Sequence, residues 1–145
     1  MTEKEKLIQA KNLFDTDYFE ESKSILLNIN LEGRSPKFLE LRNQLLASCY
    51  FELENYIDAI YWAEKANEIN NSNEFASQIK YMSYAKSKEF DKAINEILHF
   101  LKLYPAELYI VTLKELMIDI YKGNIQEELV VNEIKKLALE NKIFN

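Results

Sequence analysis

The chain has one histidine and one cysteine, His99 and Cys49. A thiolate nucleophile needs a base beside it, and a zinc site needs several nitrogen, sulfur or carboxylate ligands. His99 lies in Ile94-Asn95-Glu96-Ile97-Leu98-His99-Phe100-Leu101, where Ile94, Ile97, Leu98 and Leu101 form the apolar stripe. It falls with Asn95, Glu96 and Lys102 on the other side and is expected to be solvated. Cys49, beside Leu46 and Tyr50, reads as a buried structural thiol. A single cysteine forbids an internal disulfide and fits a reducing compartment, so a cytoplasmic location is expected.

The carboxylates and amines are no more suggestive of catalysis. Asp15 and Asp17 begin a calcium-loop pattern, but Phe19 and Glu20 then stand where a ligand and the turn glycine belong. Glu52 and Glu54 fall at a helix end with no apolar pocket to raise a pKa. Lys80, Lys86, Lys88 and Lys92 are a local basic excess, but Glu89 and Asp91 interrupt it and leave a mixed surface. The two glycines, Gly33 and Gly123, are 90 residues apart, which excludes the clustered-glycine loops that cradle phosphates. No enzyme activity, cofactor or metal site is expected.

The 145 residues suit one domain, and 48% hydrophobic with 29% charged residues is a globular composition. A net charge of -6 argues against nucleic acid as a partner, because phosphate neutralisation needs clustered Lys and Arg. No uncharged run exceeds nine residues (Asn43 to Phe51), so membrane insertion is not expected. The opening Met1-Thr2-Glu3-Lys4-Glu5 has no apolar core region and does not read as a signal peptide.

Scarce Gly and Pro with abundant Leu, Ile, Lys and Glu favour helix throughout. Apolar spacing predicts eight helices, at about 3–15, 18–30, 36–53, 56–70, 74–87, 90–104, 107–122 and 125–141. Thr2 and Glu5 make a capping box, and Ser35 caps a helix whose first position is Pro36. Asp17, Asn55 and Asn124 are expected caps at the short turns. Pro105 should end the sixth helix, and Gly123 should take the positive φ that ends the seventh.

The chain also repeats. Tyr56-Ile57-Asp58-Ala59-Ile60 returns as Phe90-Asp91-Lys92-Ala93-Ile94, 34 residues on. Phe19-Glu20-Glu21-Ser22 precedes it by 37, the extra three fitting the Gly33–Pro36 loop, and Ile125-Gln126-Glu127-Glu128 follows 35 after Phe90. The second unit has Leu46, Ala47, Tyr50, Tyr56, Ala59, Ala63 and Ala66, and the third has Tyr84, Phe90, Ala93, Ile97, Phe100 and Pro105. Ala10, Leu13, Phe19, Ser22, Leu26 and Ile29 match in the first. This pattern resembles the tetratricopeptide repeat (TPR) family. The resemblance implies an all-α, right-handed superhelical solenoid of about four helix-turn-helix hairpins. Repeats would occupy about 3–34, 36–71 and 74–105, with a capping hairpin at 107–141, all in one domain.

The resemblance further implies a concave wall built from the first helix of each pair. Its positions here are Lys11, Phe14 and Asp15; Gln44, Ser48, Phe51 and Glu52; and Gln78, Met82, Ala85 and Lys86. The expected function is a non-enzymatic adaptor or assembly factor that binds a peptide or helix of a protein partner there. Truncating Phe51 and Met82 to Ala is expected to weaken that binding with little loss of stability. The alternative is a dedicated chaperone or regulatory subunit for one client, as in small secretion chaperones with three such repeats. Chaperone-binding members grip a C-terminal carboxylate with Lys, Asn and Arg. Here Leu7, Lys11 and Leu45 take three of those places, so such a clamp is not expected.

Trp62, among Ala59, Ala63 and Ala66, is assigned to packing. The seventh helix is apolar nearly all round, from Leu108 to Tyr121. Such a helix should be covered on both sides, here by the sixth and eighth, with Lys135 and Lys136 facing water. Incomplete cover would leave a patch for self-association through the C-terminal hairpin.

Overall fold

The computed structural model describes residues 1–143, and every regular element among them is a helix. The order is α1 (Glu3–Asp15), α2 (Phe19–Leu27), α3 (Pro36–Glu52), α4 (Tyr56–Ile69), α5 (Glu74–Lys86), α6 (Phe90–Leu103), α7 (Ile110–Tyr121) and α8 (Glu128–Glu140). Three ends differ from expectation. Helix α2 stops at Leu27, and α7 and α8 each begin three residues late, at Ile110 and Glu128.

The short turns share one device. Asp17, Glu54, Lys88 and Gly123 all have positive φ, of 67°, 62°, 60° and 80°. The next amide in each case donates back to a carbonyl five residues earlier: Tyr18 to Leu13, Asn55 to Tyr50, Glu89 to Tyr84 and Asn124 to Asp119. This is the Schellman closure of a helix C-terminus, repeated once per hairpin. It corrects two expectations. Asp17 is the left-handed residue of such a turn, while Tyr18 at the start of α2 makes no side-chain cap bond. Asn124 donates to the Asp119 carboxylate, and Glu127 caps α8 by accepting from Leu129 and Val130. Thr2, Ser35 and Asn55 cap as expected. Only one of the four turns uses the residue with no steric penalty there. Lys88→Gly should therefore raise the unfolding free energy by roughly 0.5–1 kcal/mol, read by urea denaturation. Equal stability would mean that the turn carries no strain.

Packing follows chain order. Each helix from α1 to α5 packs on the next, α3 also reaches α1 and α5, and α7 packs on α8. The first interior layer comprises Ala10, Leu26, Ile29, Leu45, Leu46 and Cys49. A seam of Ala47, Ala59, Ala63, Ala66 and Ala76 follows, where small side chains on α3, α4 and α5 let the backbones approach. Tyr50 and Trp62 pack against both layers, and the Arg42 guanidinium lies 4.9 Å from the Trp62 ring centre. The third layer is larger in its side chains: Ile97, Phe100, Leu101, Tyr109, Leu113, Leu116, Ile134 and Leu137.

One carboxylate fastens each hairpin to the next. Glu3 accepts from the Asn30 amide at 2.7 Å. Glu40, 37 residues later and buried, accepts from the side-chain amides of Asn70 at 3.0 Å and Asn73 at 2.8 Å. Glu74, another 34 on, accepts from the backbone amides of Glu107 at 2.9 Å and Tyr109 at 2.8 Å. The N-terminal part of each leading helix, its first residue in α1 and α5 and its fifth in α3, thus binds the loop that starts the following hairpin. Lys6 and the Asn30 amide hold the Glu3 carboxyl below its ordinary pKa.

The fourth hairpin departs from expectation. Helix α6 approaches α8, and its backbone makes no close approach to α7. The rings of Phe100 and Tyr109, 5.7 Å apart between centres, fill the space between them. Of α7 only Thr112, Leu113 and Leu116 are buried. Val111, Ile118 and Tyr121 are exposed, so the expected cover on both sides is absent.

Candidate functional site

Helices α1, α3 and α5 bound a cleft of about 530 Å³. Helix α1 supplies Leu7, Ile8, Lys11 and Phe14; α3 supplies Leu41, Gln44, Leu45 and Ser48; α5 supplies Phe75. Ile8, Leu41 and Phe75 remain 53%, 41% and 40% exposed, unusually open for large apolar side chains that converge on one hollow. The helices present them because heptad-like spacing places Leu7, Lys11 and Phe14, and likewise Leu41, Leu45 and Ser48, on one side.

Each polar side chain of the cleft makes at least one hydrogen bond within the chain. Lys11 Nζ donates to Asp15 at 2.6 Å. Gln44 Oε1 accepts from Asn73 Nδ2 at 2.8 Å, and Ser48 Oγ donates to the Gln44 carbonyl at 3.2 Å. The hollow therefore offers chiefly apolar surface to an occupant.

Of the eleven wall residues read from the sequence, Lys11, Phe14, Gln44 and Ser48 line this cleft. Asp15, Phe51, Glu52, Gln78, Met82, Ala85 and Lys86 lie outside it. Glu52 and Lys86 are exposed and Gln78 is half-buried. Phe51 packs edge-on against Tyr56 at 5.6 Å, and both Phe51 and Met82 pack on the alanine seam. Truncating that pair removes core contacts, which corrects the expectation that stability would be spared. Sequence reasoning passed over Ile8, Leu41 and Phe75. Leu41 and Phe75 are 34 residues apart, one turn before Gln44 and Gln78, so extending the repeat back by a turn would have found them.

The residues with reactive side chains do not meet. Cys49 is fully buried, and its Sγ donates to Ser22 Oγ at 3.4 Å. Burial pushes its thiol pKa up, and the Ser22 hydrogen bond only partly opposes this, so the thiolate is disfavoured. His99 is exposed, on the edge of a separate hollow of about 190 Å³ that includes Glu64, Lys80 and Glu96. The sequence places Lys80 in a mixed surface patch. Its ammonium is instead buried, 2.9 Å from Glu64 and 3.3 Å from Glu96, and Ser77 donates to Glu96 at 2.7 Å. Ser77 also bonds the fully buried Tyr109 hydroxyl at 2.8 Å, and burial raises the pKa of that phenol.

Sequential packing, a one-sided cleft and a repeated inter-hairpin bond together define an all-helical solenoid. No protein-family model and no curated protein matches the sequence. Among solved structures, the Hsp90 co-chaperone Cns1 from Saccharomyces cerevisiae (delta69) is similar, with a TM-score of 0.67 and 20% identity. The match covers 95% of this chain and 47% of that one, so the chain spans about half the length of Cns1 and shares its fold over that half. Among the described residues, no helix is long and apolar enough to cross a membrane.

Proposed function

We propose that the chain is a non-enzymatic, TPR-type interaction module whose cleft between α1, α3 and α5 takes an apolar segment of a protein partner. The observation that carries this is the open, chiefly apolar hollow whose polar side chains each already bond within the chain. The segment would anchor through apolar side chains at helical spacing, as in helix-in-groove recognition. Its flanks would be neutral or basic, because the chain carries -6 and Asp15 and Glu52 are exposed beside the wall. A terminal carboxylate finds one ammonium here, Lys11, and that is held by Asp15.

The test is capture from cell extract by the wild-type chain and by Leu41→Glu with Phe75→Glu. A captured protein whose affinity falls at least about tenfold in the variant, with thermal stability unchanged, supports the reading. Unchanged affinity would remove the cleft from recognition. The co-chaperone likeness favours a second reading, a dedicated chaperone for one client. That reading expects a single captured protein in one-to-one ratio that aggregates without this chain, whereas an adaptor expects several partners competing for the cleft.

A further inference from the structure

We propose that the exposed face of α7 pairs two copies of this chain, in parallel, about a two-fold axis running along the helix. Val111 and Ile118 are 63% and 52% exposed and stand two turns apart, so they share one line along α7. Lys114 and Glu115 are exposed and fall about 50° to either side of that line at 3.6 residues per turn. Neither has an ion-pair partner among the described residues. Further along, Tyr121, 92% exposed, lies on the Lys114 side and exposed Lys122 on the Glu115 side.

This arrangement selects the partner and its direction. A two-fold along the helix sets one flank of α7 against the opposite flank of its copy. Val111 and Ile118 then meet their own counterparts, each Lys114 faces a Glu115, and each Lys122 ammonium faces a Tyr121 ring. Antiparallel pairing would set Lys114 against Lys114 and Glu115 against Glu115, which is repulsive. The face is therefore complementary to itself in one orientation. A single 12-residue helix per copy is small for an interface, so the dimer is weak, with a Kd on the order of 10–100 µM. The proposal does not rest on the cleft.

Sedimentation equilibrium over that concentration range tests it. The wild-type chain should approach twice its monomer mass, and Leu41→Glu with Phe75→Glu should do the same. Ile118→Glu should stay monomeric with unchanged far-UV circular dichroism. Lys114→Glu alone and Glu115→Lys alone should each weaken pairing about tenfold, since each sets like charges together. Mixing those two variants should restore a heterodimer near wild-type affinity, because every flank then faces its opposite. A wild-type chain that remains monomeric would overturn the proposal. So would a mixture no tighter than its separate components, and since all three charge-variant measurements use exposed side chains, neither result can be attributed to misfolding.

Discussion

Tyr109→Ala is expected to lower the unfolding free energy by about 4 kcal/mol, which is about 10 °C in Tm for a chain of this size. Tyr109 is 0% exposed although it precedes the first residue of α7. Its ring meets Tyr81 and Phe100 edge-on at 6.1 and 5.7 Å, its hydroxyl bonds Ser77, and its amide bonds Glu74. One residue thus joins the fourth hairpin to both helices of the third. Because α6 and α7 do not approach through their backbones, the ring spans a gap that no backbone contact between those two helices closes. The loss should come with a broadened denaturation curve, as the C-terminal hairpin separates before the rest. Tyr109→Phe should cost about 1 kcal/mol, the net worth of one hydrogen bond. A cost below about 1 kcal/mol for the alanine variant would show that the gap closes without the ring.

Glu40→Ala should cost about 2–3 kcal/mol, again by chemical denaturation. The carboxylate is 4% exposed and receives two side-chain amides across the boundary between hairpins two and three. Its partners have further tasks. Asn73 Oδ1 accepts from the Ala76 amide and so caps α5, and the Asn73 carbonyl accepts from the buried Asn67. Removing Glu40 therefore loosens a cap as well as a bond. Glu40→Gln keeps one acceptor oxygen and should retain about half the stability difference. An alanine variant as stable as the wild type would show that Asn70 and Asn73 hold the boundary unaided.

Much of this was legible in the residues. Helical spacing placed eight helices, and the recurrence of Tyr56–Ile60 at Phe90–Ile94 placed the hairpins. Thr2, Ser35, Pro36 and Asn55 marked helix starts because their capping chemistry is local. Asp17, Glu54 and Lys88 did not announce left-handed turns, since nothing in their side chains demands positive φ. Only their 37- and 34-residue spacing betrays a shared role. Lys80 reads like any surface lysine until tertiary packing brings Glu64 and Glu96 to it from two other helices. The cleft was half legible. Lys11, Phe14, Gln44 and Ser48 follow from repeat position, while Ile8, Leu41 and Phe75 look like core residues and are open only because no helix lies across them.

The three boundary carboxylates lie in series along the array. A tension applied to the two ends is carried through each junction in turn, and the junctions are not equal. The first has the amide on Glu3, the Arg42 bond to the Leu26 carbonyl and the Cys49–Ser22 bond; the third has two amides on Glu74 and the Ser77–Tyr109 bond, with α8 alone approaching α6. Stretched from its ends, the molecule should part first between its third and fourth hairpins, where the backbones approach least, and hold longest between the second and third, which makes it a graded mechanical fuse rather than a uniform spring.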